Sequence, residues 1–148
     1  AEANEYASGN GLLGFAASQP KWSLLHEDAM TQAQRLAPEA MIHVNEADRR
    51  WHQQTGLPVV PYGPTGQGFF GKGPADGCGV ENRQRYGRAL KLAGGKHAPA
   101  NQIALAWLLA HPFPVIPILG TSSVEHLQEA LPAVEIALSR EELAFLEG

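Results

Sequence analysis

Several features that mark whole classes of protein are missing from this sequence of 148 residues. Its single cysteine, Cys78, excludes a disulfide within the chain, as is usual in a reducing compartment. A formal net charge of −4 and the absence of any Lys/Arg cluster argue against nucleic-acid binding. No apolar run is long enough to cross a bilayer, and the first residues lack the apolar segment of a signal peptide. We therefore expect a cytoplasmic protein that binds neither nucleic acid nor membrane, and we assign no metal ligands.

The sequence does contain three short apolar runs, at residues 12–18, 57–62 and 114–119. Each has the length and composition of a buried strand, and each is followed by a turn rich in glycine or proline. Helical periodicity predicts helices between and around them, at residues 1–8, about 40–55, 81–93, 99–110 and from Ser139 onward. Strands that alternate with helices indicate an α/β fold with a parallel sheet.

The segment from Pro114 to Leu131 carries the clearest local signal. Gly120 and Thr121 end the apolar run, and Ser122 with Glu125 matches a capping box at the start of a helix. Free backbone N–H groups at such a helix start can bind an anion such as a phosphate. The alternative is an ordinary capped helix that binds nothing.

Five segments, in this order, resemble the C-terminal half of the aldo-keto reductase superfamily. They are FAASQPKWSLL, LPVVPYGPTGQGFFGKG, ANQIALAWLLAHP, PVIPILGTSSVEHLQEAL and VEIALSREELAFLEG. The resemblance implies that residues 1–148 are a single truncated domain containing barrel strands six to eight and their helices. The implied fold is a partial (half) TIM-type (β/α) barrel with about three parallel strands, and the implied activity is NADP(H)-dependent reduction of small aldehydes or ketones.

The resemblance also implies which residues would bind the cofactor. Gln19 would hold the nicotinamide amide, and Tyr62 would stack under the ring. The loop after Tyr62 would run along the pyrophosphate, the loop after Leu119 would surround the adenosine 2′-phosphate with His126 nearby, and Glu129 would meet the adenine. The complete predicted set is Gln19, Tyr62, Gly63, Pro64, Thr65, Gly68, Leu119, Gly120, Thr121, Ser122, Ser123, His126 and Glu129.

Three positions depart from the pattern of the family. Ser123 stands where many members carry Lys, Gln67 where many carry Arg, and Ala130 where Asn is frequent. Each change removes a hydrogen bond or a charge-assisted contact, worth roughly 0.5–3 kcal/mol. We therefore expect weaker cofactor binding and a smaller preference for NADPH over NADH, so that NAD(H) also becomes a candidate.

The catalytic residues stay unassigned at this stage. The family's tetrad of Asp, Tyr, Lys and His belongs to the first half of its barrel, which has no counterpart in this sequence. Proton donors available near the predicted strand exits are Tyr62, His26, His52 and Lys21, although Tyr62 could simply stack, His52 could lie on a solvated helix face, and Lys21 and His26 could be surface residues. A catalytically inactive nucleotide-binding half-barrel and a gene fragment remain alternatives.

The implied partners are a small carbonyl substrate and a second copy of the chain. An open parallel sheet exposes backbone edges and apolar surface, so we expect homo-oligomers that associate through that sheet.

Overall fold

The computed structural model describes residues 2–25 and 44–148. In these ranges the chain forms seven α-helices, which we number α1 to α7, and one 3₁₀-helix. They are α1 (Glu2–Gly9), α2 (Glu46–Thr55), α3 (Phe69–Lys72), α4 (Val80–Lys96), α5 (Ala100–Leu109), α6 (Val124–Ala130), the 3₁₀-helix Leu131–Glu135 and α7 (Arg140–Glu147). None of these helices is long and apolar enough to span a membrane.

The predicted partial barrel with about three parallel strands is wrong, because no β-strand forms within the described ranges. The three apolar segments do run side by side, but only isolated parallel bridges join them. Ser18 pairs with Val59 and Lys21 with Tyr62. Val59 and Tyr62 pair in turn with segment 115–118. In the first segment the bridged residues are Ser18 and Lys21, at and beyond the end of the predicted strand 12–18. Leu13 and Phe15, in the middle of that predicted strand, are exposed.

Prolines at matching positions explain why the bridges do not extend into strands. Pro20, Pro61 and Pro117 each lie between the two bridged residues of their segment. Proline has no N–H group to donate, so it interrupts a ladder from within. Several other N–H groups of the segments do pair, as in the bonds from the Tyr62 N–H to the Pro20 carbonyl (3.1 Å) and from the Ile118 N–H to the Pro61 carbonyl (2.9 Å).

The bridged segments have two different faces, because successive side chains of an extended chain point to opposite sides. One face contacts the helices: Val59 and Pro61 are fully buried there. On the other face, Ile116 is 58% exposed and Ile118 is 38% exposed. We call this second surface the exposed face; by the same alternation it comprises Gln19, Lys21, Val60, Tyr62, Ile116 and Ile118.

Helix α5 is the centre of the core. Every residue from Gln102 to Leu108 is buried, which explains why this helix has almost no polar side. It packs against α4, α3, α6 and the 3₁₀-helix. Ile103, Ala106 and Trp107 recur at helical spacing in the sequence and are all buried, as are Trp22 and Leu24.

Helix ends follow the predicted chemistry in part. The predicted helix from Ser139 onward is confirmed as α7, with a capping box of Ser139 and Glu142 at its start, and Gly56 ends α2 in the left-handed conformation. Helix α4 runs past Gly94 to Lys96, where His97 takes the left-handed cap position instead. Helix α2 begins only at Glu46, behind an Asn45–Asp48 capping box, and the predicted start near residue 40 lies outside the described residues.

The predicted cap of α6 is displaced by one residue. Ser123, not Ser122, is the N-cap, and its side chain accepts a hydrogen bond from the His126 N–H at 3.2 Å. The Thr121 hydroxyl accepts from the Ser123 N–H at 3.1 Å, which fixes Ser123 in the cap position. The predicted capping box of Ser122 and Glu125 is therefore wrong.

Two alanine variants can distinguish Ser123 from Ser122 as the N-cap of α6. We expect Ser123→Ala to lower the free energy of unfolding by about 0.5–2 kcal/mol, because the His126 N–H loses its acceptor. We expect Ser122→Ala to change it by less than about 0.5 kcal/mol, since Ser122 is exposed and caps nothing. Urea unfolding of both variants is the test. Equal losses in the two variants would contradict the assigned cap.

The C-terminal helix is tied to the core through one carboxylate. The Glu147 Oε1 atom accepts from Arg49 at 2.8 Å and from the indole N–H of Trp107 at 3.1 Å. His111 lies against the ring of Trp107, with 4.7 Å between the ring centroids, and its Nδ1 atom donates to the carbonyl of Trp107 at 2.9 Å. Burial, followed by the positive charge of Arg49, lowers the pKa of His111 below its ordinary value of 6.5.

The lowered pKa of His111 predicts a loss of stability at acidic pH. The unfolded chain takes up a proton near pH 6.5, whereas folded His111 resists it, so stability falls as the pH drops below that value. For one proton the slope is at most about 1.4 kcal/mol per pH unit. Urea unfolding between pH 7 and pH 5 should give a shallower dependence for His111→Gln than for the unchanged chain. The exposed His126→Gln is the control, and an unchanged slope in His111→Gln would refute the prediction.

Candidate functional site

The candidate site lies where the three bridged segments end. The bridges from Lys21 to Tyr62 and from Tyr62 to Ile118 put the ends of the segments at the same level. Parallel neighbours lie about 4.8 Å apart, so the loops that follow Tyr62 and Ile118 start side by side. Gln19 is exposed and shares the exposed face with Tyr62, which is half-buried. The structure thus brings Gln19, Tyr62 and the two predicted cofactor loops together.

The loop after Tyr62 is a sequence of tight turns. Gly63, Gly66, Gln67 and Gly68 all have positive φ angles, between 58° and 86°. The Gly66 N–H donates to the Gly63 carbonyl at 3.0 Å, and the Phe69 N–H donates to the Gly66 carbonyl at 3.2 Å. A side chain at Gly66 would collide with Leu25, whereas one at Gly63 would meet open space. This loop is therefore fixed on its inner side and open on its outer side.

The loop after Leu119 is exposed to solvent, but side chains of the loop itself already accept some of its backbone N–H groups. Gly120, Thr121 and Ser122 are exposed, and a side chain at Gly120 would meet nothing within 4 Å. Thr121 and the cap residue Ser123 already accept two of the N–H groups that a bound anion could use. Fewer donors than predicted are therefore free for a phosphate.

Glu125 adds a negative charge at the same place. Its Oε2 atom accepts the hydroxyl of Ser123 at 2.6 Å, and this hydrogen bond lowers the pKa of the Glu125 carboxyl. The group is thus ionised at neutral pH and lies beside the loop that was predicted to hold the 2′-phosphate. From the sequence Glu125 is only a capping residue, and its charge beside this loop becomes visible in the structure.

Three other predicted residues take different positions. Leu119 packs on Leu105, Ala130 and Ala133 in a small separate core, so its side chain supports the loop from below. The Glu129 carboxylate accepts from Asn101 at 3.0 Å, which holds it against α5. His126 is exposed. Pro64 is buried, and Thr65 and Gly68 are half-buried within their loop.

The sequence suggested that His52 could lie on a solvated helix face, and this is wrong. It is only 4% exposed and joins two distant parts of the chain. Its Nδ1 atom donates a hydrogen bond to the Leu57 carbonyl oxygen at 2.7 Å, and its Nε2 atom lies 3.0 Å from the Ser18 hydroxyl oxygen. This contact lies on the helix side of the segments and takes His52 away from the exposed face. His26 lies outside the described residues.

Within residues 2–25 and 44–148, no cluster of three or more His, Cys, Asp or Glu side chains is arranged to hold a metal ion. The groups that remain at the candidate site are a side-chain amide, a phenol, an amine and two glycine-containing loops. Such a set suits a polar organic ligand bound through backbone groups and stacking.

Comparison with known proteins gives one consistent result. The model of the aldo/keto reductase family matches residues 2–148. A probable aldo-keto reductase of Glycine max is 32% identical over 108 residues, which cover 62% of this chain and 31% of the relative. Norsolorinic acid reductase of Aspergillus flavus is 28% identical and is matched over 95% of this chain and 34% of its own length.

A solved structure extends the similarity to the fold. A thermostable aldo-keto reductase, crystallised with the inhibitor epalrestat, superposes with a TM-score of 0.68 at 27% identity. The match covers 97% of this chain and 43% of the other. The chain therefore spans about a third to two fifths of the length of these relatives.

Proposed function

The chain belongs to the aldo/keto reductase family of oxidoreductases, and we propose that it reduces small aldehydes or ketones with a nicotinamide dinucleotide. The observation that supports this most directly is the register of the bridged segments. It brings Gln19, Tyr62 and the two glycine-containing loops to one end of the exposed face. These are the residues that resemblance to the family assigns to the cofactor.

The arrangement fits an extended dinucleotide over most of its length. Gln19 offers an amide for the carboxamide of the nicotinamide, and Tyr62 offers an aromatic surface beside it. The open outer side of the loop at Gly63 leaves room for the pyrophosphate to approach the backbone. The bound cofactor would supply the hydride, and the protein would supply orientation and a proton.

We further propose that this chain does not favour NADPH over NADH. The 2′-phosphate of NADPH would lie near the loop that ends at Ser123, where Glu125 holds a carboxylate. Like charges repel at short range, and the basic residues that many members of the family carry are replaced here by Ser123 and Gln67. NADH lacks this phosphate and would avoid the repulsion.

The variant Glu125→Gln tests this point. Removal of the charge should tighten NADPH about two- to fivefold, a size typical of an exposed charge interaction, and should leave NADH unchanged. Glu141→Gln is a matched control, because Glu141 accepts the hydroxyl of the cap Ser139 at 2.7 Å in the same way at α7. Calorimetric titration gives both affinities. An equal change for the two cofactors in Glu125→Gln would contradict the proposed position of the phosphate.

The activity itself is tested with a panel of small aldehydes, ketones and dicarbonyls. Substrate-dependent loss of NADH or NADPH absorbance is the expected result. Saturable cofactor binding with no turnover on any carbonyl would instead support a second function, that of a nucleotide-binding module without chemistry. A chain that unfolds without cooperativity would favour a fragment.

We also propose that copies of the chain associate through the part of the exposed face around Ile116, which leaves the segment ends with Gln19 and Tyr62 free for the cofactor. Ile116 is 58% exposed, and Leu13 and Phe15 of the first segment are 101% and 70% exposed. Apolar side chains at this density favour burial against a partner. Light scattering should give a mass of at least two chains. A mass equal to one chain of 15.9 kDa would exclude this association.

A further inference from the structure

A groove with a volume of about 500 Å³ lies between α1 and α2, apart from the candidate cofactor site. Three residues of α1, two of α2 and one that follows α2 form its walls: Asn4, Glu5, Ser8, Trp51, Thr55 and Leu57. Asn4 and Ser8 are four residues apart, so they lie on one face of α1. Leu57 is at the beginning of the second bridged segment, whereas the candidate cofactor site is at its end.

Hydrogen bonds hold both walls of the groove in place. The side-chain oxygen of Asn4 accepts from the Phe15 N–H at 2.7 Å, and the side-chain amide of Asn4 donates to the Phe15 carbonyl at 3.1 Å. These two bonds fix α1 against the first bridged segment. In the other wall the Thr55 hydroxyl donates to the Trp51 carbonyl at 2.9 Å. The groove is therefore already formed in the absence of a ligand.

The groove has a negative electrostatic character. Among the described residues that line it, Glu5 is the only charged side chain, and Glu5 enters no ion pair within the described ranges. Ser8 and Thr55 belong to the last turns of α1 and α2, where the helix dipole places partial negative charge. The groove should therefore repel anions and attract cations.

Trp51 determines which kind of cation fits best. Its ring is half-buried in the groove wall, and the side chain of Leu57 adds apolar surface beside it. The face of an indole ring attracts positive charge, and it does so best when the cation is weakly hydrated. A methylated ammonium group satisfies both walls, because its methyl groups suit the apolar surface and its charge suits Glu5.

We propose that the groove between α1 and α2 binds a small organic cation of the quaternary ammonium class. The cation would lie against the ring of Trp51, with its charge balanced by the Glu5 carboxylate. The proposal does not depend on the reductase activity proposed above, since the groove is at the other end of the bridged segments.

Choline is the probe, and its uncharged isostere 3,3-dimethylbutan-1-ol has the same shape without the charge. NMR of the ¹⁵N-labelled chain, at an ionic strength held constant with sodium chloride, separates the three indole N–H signals. Choline should shift the Trp51 signal with a midpoint below about 20 mM, and the isostere should bind at least about fivefold more weakly. Trp22 and Trp107, which are 6% and 3% exposed, should not respond.

Two variants of α1 test the role of the carboxylate. Glu5→Gln should weaken choline binding at least about threefold. Glu2→Gln is the matched control, because it removes the same charge from the same helix at a residue that does not line the groove. Its affinity for choline should stay within about twofold of that of the unchanged chain.

Three results would overturn the proposal. The first is a Trp51 signal that does not move with choline up to about 20 mM. The second is equal binding of choline and its isostere, which would show an apolar groove that does not select for charge. The third is an equal effect of Glu5→Gln and Glu2→Gln, which would reduce the role of Glu5 to the net charge of the chain. Glu5 is exposed, so its substitution leaves the fold intact, and unchanged Trp22 and Trp107 signals verify this.

Discussion

Replacement of Trp107 by alanine should lower the free energy of unfolding by about 3–5 kcal/mol, the range found for buried aromatic residues. Trp107 is 3% exposed and lies on the central helix α5. Its ring contacts Trp22, with 5.4 Å between centroids and an edge-to-face angle of 68°. A cavity at this point would loosen both α5, which carries Trp107, and the first bridged segment, because Trp22 directly follows that segment and packs on Trp107.

The polar edge of Trp107 adds to the loss. Its indole N–H donates to Glu147, which also binds Arg49, so truncation leaves this carboxylate with one partner fewer. Since small domains have a total stability of about 5–15 kcal/mol, Trp107→Ala should lose a large fraction of the free energy of unfolding. Trp107→Phe keeps an aromatic ring and should lose less.

Urea unfolding followed by circular dichroism measures these changes. Leu90→Ala is the control, because Leu90 is 48% exposed on the neighbouring helix α4 and should cost less than about 1 kcal/mol. If Trp107→Ala and Leu90→Ala lost the same stability, α5 would not be the centre of the core.

The second large effect is expected from Gly66→Ala. Gly66 has a φ of 62°, a conformation that costs an alanine roughly 1–2 kcal/mol. The added methyl group would also collide with Leu25, so either the loop or Leu25 must move. We expect a loss of about 1–3 kcal/mol in stability and at least tenfold weaker binding of NADH, because the loop from Gly63 to Gly68 changes shape.

Gly71→Ala provides a matched control for the same loop. Gly71 lies in α3 just beyond the loop, has no neighbour within 4 Å of an added methyl group, and has a helical conformation. Alanine should be tolerated there or should stabilise the helix by up to about 1 kcal/mol. Urea unfolding gives the stability of both variants, and calorimetric titration gives their affinity for NADH. Unchanged NADH affinity in Gly66→Ala would remove this loop from the proposed site.

Sequence patterns predicted the helical part of the fold well, because the signals are local. The inward face of α5 follows from the spacing of Ile103, Ala106 and Trp107, and the start of α7 follows from Ser139 and Glu142. Both depend on residues within one or two turns of each other. The cap of α6 was missed by one residue, because two adjacent serines compete and Thr121 decides between them.

The error about strands has an equally physical origin. An apolar run followed by a turn predicts a strand, but Pro20, Pro61 and Pro117 remove N–H donors at matching levels of the three segments. Proline within such a run is a known argument against a regular strand. The isolated bridges that do form between the segments are parallel.

Contacts between distant residues could not be predicted from local patterns. His52 is buried only because Ser18, which is 34 residues away in the sequence, supplies a hydrogen bond. The backbone bridge of Lys21 with Tyr62, which lie 41 positions apart in the sequence, likewise becomes visible only in three dimensions. The hydrogen bond to Ser18 changes the expected position of His52 from a solvated helix face to the core.

The central claim is that the ends of the three bridged segments form one nicotinamide dinucleotide site. Calorimetric titration of the purified chain with NADH and, in parallel, NADPH tests it most directly. We predict saturable binding of NADH at one site per chain, with NADPH bound no more tightly because of Glu125. Absence of binding by both cofactors would contradict the claim, and tighter binding of NADPH than of NADH would contradict the role given to Glu125.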